Sequence, residues 1–147
     1  MSDEFASAAD LEEYLQGRGV LVGRQSGGLS SLESLSPASC RVRRWRGDDD
    51  VRRGSLTGPM MFLTADAAAL VMTLSRLPRG SDAVTSSATI TFLQRPALGP
   101  LVGEARLLRA GGRLMVSDVS VIDMGGAEVA HALITCSPLL ADPGRHK

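Results

Sequence analysis

Between Gly54 and Leu77 the chain reads GSLTGPMMFLTADAAALVMTLSRL, and no other stretch restricts the fold as strongly. From Met60 to Leu74 it is apolar at almost every position, too long for one strand yet short of the roughly 18 residues that a membrane span requires. Thr57 supplies a helix N-cap, because its side-chain oxygen can accept from a free first-turn amide. Pro59 sits where a missing N–H costs nothing. The spacing predicts a helix with Leu63, Ala67, Leu70 and Leu74 along one face and Phe62, Asp66, Ala69 and Thr73 along another, covered nearly all round. Asp66 is the exception in that run. An unpaired carboxylate is expensive to bury, so it needs either a partner or a task.

The flanking segments predict strands. CRVRRWRG, Cys40 to Gly47, alternates imperfectly and ends in the turn-prone GDDD. After the helix, AVTSSATITFLQR places Val84, Ser86, Ala88, Ile90 and Phe92 on one face and Thr85, Ser87, Thr89, Thr91 and Leu93 on the other, and PALGP closes it. Two glycine-bearing junctions, AGGR and MGG, divide the remainder into three more strands through hairpin turns, their glycines supplying positive φ. The expected order is one strand, the helix, then four strands in a meander, an α+β sheet packed on the helix. Ahead of this core, Leu11, Tyr14 and Leu15 predict a short amphipathic helix capped by Asp10 and stopped by Gly17 and Gly19. Residues 19–37 read as a loop with one strand or short turn, and ADPGRHK as a frayed tail.

A length of 147 residues fits one domain, with its core over residues 40–137. The acidic start MSDEFASAADLEEYL lacks the features of a secretory signal, so a cytoplasmic address is expected. Net charge of zero argues against nucleic-acid binding, and no apolar run suits a membrane. Cys40 and Cys136 lie far apart without a second pair to complete a zinc site, and they read as small buried thiols with no metal. Six arginines fall between Arg41 and Arg53, broken by Asp48, Asp49 and Asp50. They form either a mutually neutralising surface or a rim for phosphate, whose oxygens suit the guanidinium fork. His131, in an alternating strand, reads as structural.

The order of strand, TGPMMFLTAD helix, TSSATITFLQRPA strand, LVGEARLLRAGGRLMVSDVSVID hairpin and EVAHALITC strand resembles the hotdog-fold acyl-CoA thioesterases, in the branch that includes the phenylacetate-pathway enzymes. Many members carry His-Gly-Gly at the helix start and an acid seven positions after the second glycine. Here Thr57, Gly58, Pro59 and Asp66 hold those places, and the Thr-Gly-Pro turn is similar to a Ser-Gly-Pro version within the family. The resemblance implies a long central helix wrapped by a curved antiparallel sheet of about five strands. It also implies a homodimer or dimer of dimers whose sites are shared between subunits.

The same resemblance assigns roles. Asp66 becomes the general base for water, or the nucleophile of a mixed anhydride. The Gly58 amide becomes the oxyanion donor, since first-turn N–H groups have no intrahelical partner and Pro59 cannot donate. Thr85 resembles the hydroxyl that orients water or the carboxylate, with Ser87 as the next polar candidate on its face. Thr57 and Pro59 would border the substrate, and Arg95, Arg109 and Arg113 would contact the nucleotide of CoA, which enters as part of the substrate and not as a cofactor. A non-catalytic hotdog protein that binds acyl-CoA or serves in an assembly is the alternative, motivated by the absent His and second glycine. A hotdog dehydratase ranks last, because no His lies near this helix.

Overall fold

A computed structural model describes residues 5, 7–21 and 30–141. The expectations for the extreme N-terminus, for the middle of the 19–37 loop and for the tail beyond residue 141 lie outside the described residues. No helix among those described is long and apolar enough to cross a membrane.

Helix α1 spans Ala8–Gly17. Its cap is Ser7 and not Asp10: the Ser7 hydroxyl accepts from the Asp10 amide at 3.1 Å, while the Asp10 carboxylate takes the Arg79 guanidinium at 2.6 Å. Leu11 and Leu15 are buried, as their spacing predicts. The loop reading of residues 19–37 contains a strand, β1 (Ser30–Leu35), beside β2 (Ser39–Arg44). A two-residue pair, β3 (Val51–Arg52) and β4 (Ser55–Leu56), then leads into α2 (Gly58–Leu74). Strands β5 (Asp82–Phe92), β6 (Leu101–Ala110), β7 (Met115–Ile122) and β8 (Glu128–Leu139) complete the chain.

The main sheet has six strands in the order β1-β2-β6-β7-β8-β5, with every neighbouring pair antiparallel. Only β6, β7 and β8 form a meander. The four-strand meander is corrected by β5, which pairs with β8 and ends the sheet, so that the 93–100 segment carries the chain across to β6. The β6–β7 turn also differs from expectation, since its glycines do not adopt positive φ. Gly111 is needed there because a Cβ would lie 2.9 Å from the Leu114 carbonyl oxygen, whereas Gly126 in the β7–β8 turn does take φ 86°.

Helix α2 lies across the inner face of this sheet, and its buried side is Met60, Met61, Thr64, Ala65, Ala68, Ala69, Val71 and Met72. Inward residues of β7 (Met115, Val119, Val121) and β8 (Ala132, Ile134) meet it. Of the predicted stripe Leu63, Ala67, Leu70 and Leu74 only Leu74 is buried, so the expected cover nearly all round is missing in a single copy. Leu63 is 47% exposed, Pro59 is exposed, and Ala67 and Leu70 are half-buried. One side of an apolar helix is thus left uncovered in a single copy of the chain.

Helix and sheet approach closely at Gly103 of β6, where a Cβ would come within 2.8 Å of the Thr64 carbonyl oxygen and 2.9 Å of Ala68 Cβ. Backbone cannot yield as a flexible side chain can. Gly103→Ala is expected to destabilise the protein by about 2 kcal/mol, read as a lower urea midpoint. An unchanged midpoint would contradict this packing.

The outer face is polar. Arg41 and Arg43 pair with Glu33, Arg41 also with Glu104, and Arg106 with Asp118 at 3.0 Å. His131 is set between Asp118 and Glu128 on this face, so it remains outside the helix-side groove, although the carboxylates beside it were not foreseen. Burial opposes its charge, but hydrogen bonds to Glu128 and Asp118 and their negative charge outweigh it and raise its pKa. A raised folded pKa favours the protonated form in the folded state, so this contribution is complete at acid pH and lost as pH rises through the folded value. Urea midpoints are expected to fall as pH rises above about 6.5, by more in the parent chain than in His131→Gln; equal slopes would contradict the assignment.

Candidate active site

Helix α2 starts as its sequence dictates. Thr57 Oγ1 accepts from the Met60 amide at 3.3 Å, Pro59 occupies the first turn, and the Thr57 amide donates to the Asp50 carbonyl at 2.9 Å. The preceding β3–β4 hairpin turns on Arg53 and Gly54, at φ 52° and 73°. Together these segments wall a cleft of about 480 Å³ that reaches from Arg52 and Arg53 past Thr57 to Gly58 and Pro59, with Arg95 on its rim. On Gly58's other side lies the Phe92 ring, 3.5 Å from where a glycine Cβ would stand. That is ordinary van der Waals contact, so Gly58 is not required there for space.

Two turns along the helix, Asp66 emerges on the uncovered side. The Thr85 hydroxyl of β5 donates to Asp66 Oδ1 at 2.6 Å, so the structure brings together the carboxylate and hydroxyl that the sequence singled out. One carboxylate oxygen is thereby fixed and the other stays available. Directly across from Thr85 in the β5–β8 register sits Cys136, 1% exposed. Burial pushes its thiol pKa up, the Asp66 charge adds to this, and hydrogen bonding with Thr73 and Thr85 acts in the opposite direction. Cys40 is likewise an inert buried thiol, its pKa pushed up to about 12 by burial.

Ser87 does not share Thr85's face. A β-bulge falls between Thr85 and Ser87, so Thr85 pairs with inward Cys136 while Ser87 pairs with outward Thr135. Strict alternation fails at that one extra residue. Beyond it, Ala88, Ile90 and Phe92 join Thr85 on the helix side, opposite Ile134, Ala132 and Ala130.

Gly58 and Asp66 are not assembled into one site within a single copy. They lie eight residues, about 12 Å, apart along α2, Gly58 packing with Phe92 and Asp66 with Thr85. The arginines are also dispersed. Arg95 Nη2 donates to the Arg53 carbonyl at 2.6 Å, at the Gly58 end. Arg109 and Arg113 are exposed at the β6–β7 turn, the end of the sheet where Met115 and Cys136 pair, three strands from β5. Phe92, Cys136 and the Arg52–Arg53 pair were not singled out as site residues. Only Arg52 and Arg53 left a sequence signal, in the arginine cluster; the other two depend on strand register.

The family model of the Thioesterase superfamily matches residues 53–130. A solved structure of a candidate thioesterase from Silicibacter sp. TM1040 is 32% identical, covers 90% of this chain and 91% of its own, and superposes with a TM-score of 0.77. A Streptococcus mutans UA159 protein solved bound to acetyl CoA is 26% identical over 74% of this chain and 87% of its own, TM-score 0.65. A phenylacetic acid degradation-related protein from Ralstonia eutropha JMP134, at 23% identity over 82% of this chain and 88% of its own, shares the fold with TM-score 0.69. A search of curated proteins gave no match. The matched segment spans more than half the chain, from the β3–β4 turn through α2 to the start of β8, and by it this hotdog-fold chain belongs to the Thioesterase superfamily and is a thioester hydrolase.

Proposed function

We propose that the enzyme hydrolyses an acyl-CoA to a free acid and CoA, with Asp66 as the reactive carboxylate and the Gly58 amide as oxyanion donor. The observation that carries this reading is the Thr85–Asp66 hydrogen bond on the uncovered side of an otherwise apolar helix. In support of it, the carboxylate has a partner that fixes one oxygen and leaves the second to act. As general base, Asp66 takes a proton from water as that water attacks the thioester carbonyl. The negative charge on the carbonyl oxygen is met by the Gly58 N–H at the positive end of α2. Collapse expels the thiolate, which takes the proton back. As nucleophile, Asp66 would form a mixed anhydride that water then opens, with the same overall balance.

A second copy of the chain completes the site in this proposal. Strand β5 ends the sheet with an unpaired edge, and Ala88 and Phe92 on its inner face and Leu63 on α2 are exposed. Such an edge invites pairing. With the extra residue of the Ser86 bulge counted, two β5 strands paired antiparallel about an axis at Thr89 set Thr85 opposite the partner's Phe92 and Ala88 opposite the partner's Ile90, helix-side residues in each case. Asp66 then faces the partner's Gly58, and the uncovered helix stripe is closed over.

Release of free thiol from a panel of acyl-CoA thioesters, followed with a chromogenic thiol reagent, tests the activity. Hydrolysis of at least one acyl-CoA is expected. Failure to cleave any of them would favour the acyl-CoA-binding alternative.

A further inference from the structure

We infer that the β3–β4 hairpin is a phosphate-binding subsite, in which the guanidinium groups of Arg52 and Arg53 hold the phosphates of CoA while Arg95 keeps the hairpin in place. The inference rests on the acyl-CoA reading above and deepens it. Three of the six arginines of the cluster are neutralised by neighbours: Arg41 and Arg43 by Glu33 and Glu104, Arg44 by Asp50 at 3.8 Å. Arg52 and Arg53 differ. They have no ion-pair partner among the described residues, although Asp49 and Asp50 border the same cleft. Asp50 is occupied, its Oδ2 accepting from the Gly47 amide at 2.8 Å as well as facing Arg44.

The backbone supports the same assignment. Arg53 is the one non-glycine residue found at positive φ among those described, at 52°, a conformation that a glycine would adopt without strain. Arg95 Nη2 donates to the Arg53 carbonyl at 2.6 Å, which ties the turn down and leaves the two hairpin side chains at the cleft. Through that one N–H Arg95 acts as a positioning residue. Arg53 precedes Gly58 by five residues and lines the same cleft, so the two lie no more than about 18 Å apart, the extended-chain limit, a distance within the reach of a pantetheine arm. A thioester at Gly58 thus has its phosphates within reach of the hairpin, where guanidinium forks suit them.

Isothermal titration of the full chain with CoA and with pantetheine, which lacks the phosphates, reads this subsite without requiring turnover. The parent chain is expected to bind CoA at least about tenfold more tightly than pantetheine. Arg52→Ala/Arg53→Ala and the single Arg53→Gly should lose most of that preference with pantetheine affinity unchanged. Arg53→Gly suits the observed φ, so its melting temperature should not fall, which separates lost binding from lost folding. CoA affinity unchanged in both variants, or no preference for CoA in the parent, would overturn the subsite. Loss of thiol release with the CoA preference intact would instead sink the catalytic reading alone.

Discussion

Asp66→Asn lowers kcat for thioester hydrolysis by about a thousandfold, with KM little changed and the melting temperature preserved. The preserved fold follows from geometry: the Asn carbonyl oxygen can still accept from the Thr85 hydroxyl, which lies 2.6 Å from the carboxylate in the parent chain. What the amide cannot do is take a proton from water or attack a carbonyl. Thr85→Ala leaves the carboxylate but releases its orientation, so its loss is smaller. It adds little in the Asp66→Asn background, because the two groups act as one unit. Hydrolysis undiminished in Asp66→Asn, measured by thiol release at saturating acyl-CoA, would remove Asp66 from the chemistry.

Ala88→Lys converts the protein to a monomer and reduces hydrolysis by at least about a hundredfold. Position 88 lies beside the proposed two-fold axis, so one substitution sets two like charges against each other where the β5 edges pair. In a single copy Ala88 is exposed, and lysine there does not disturb the chain's own core. The groups proposed for chemistry remain intact, so the loss comes from separating the two halves of the site. Sedimentation velocity at micromolar concentration reads the mass, and the same samples give the rate. A fully active monomer would contradict the shared site.

The helix was legible in the sequence because its signals are local: Thr57 caps it, Pro59 fits its first turn, and the apolar run sets its length. The pairing of Thr85 with Asp66 was legible only through resemblance, since nothing in the spacing of the two residues says which strand lies over which turn. Two local features hid the rest. A bulge at Ser86 reverses the alternation beyond Thr85, moving Ser87 to the outer face and Ala88, Ile90 and Phe92 to the helix side. Strand β5 also passes over its sequence neighbour β6 to pair with β8, because non-local pairing follows face burial and loop reach and leaves no mark on either strand. Which side of α2 faces the sheet was not legible for a related reason: an almost uniformly apolar helix has no polar face to orient it, and Leu63 could equally face the sheet or the second copy. The arginine cluster divided between both expectations, with Arg41, Arg43 and Arg44 neutralised and Arg52 and Arg53 left at the cleft.

The central claim, that the carboxylate of one chain works with the amide of another, is tested most directly by subunit complementation. Asp66→Asn lacks the carboxylate, and Gly58→Pro lacks the amide while keeping a residue suited to the helix start. Each variant alone is expected to be inactive. After subunit exchange, half of the dimers are mixed, and each mixed dimer contains one site with an intact Asp66 facing the partner's intact Gly58, so activity returns to about a quarter of the parent's. No recovery in mixtures that mass measurement shows to contain the mixed dimer would place both groups in the same chain's site and contradict the account.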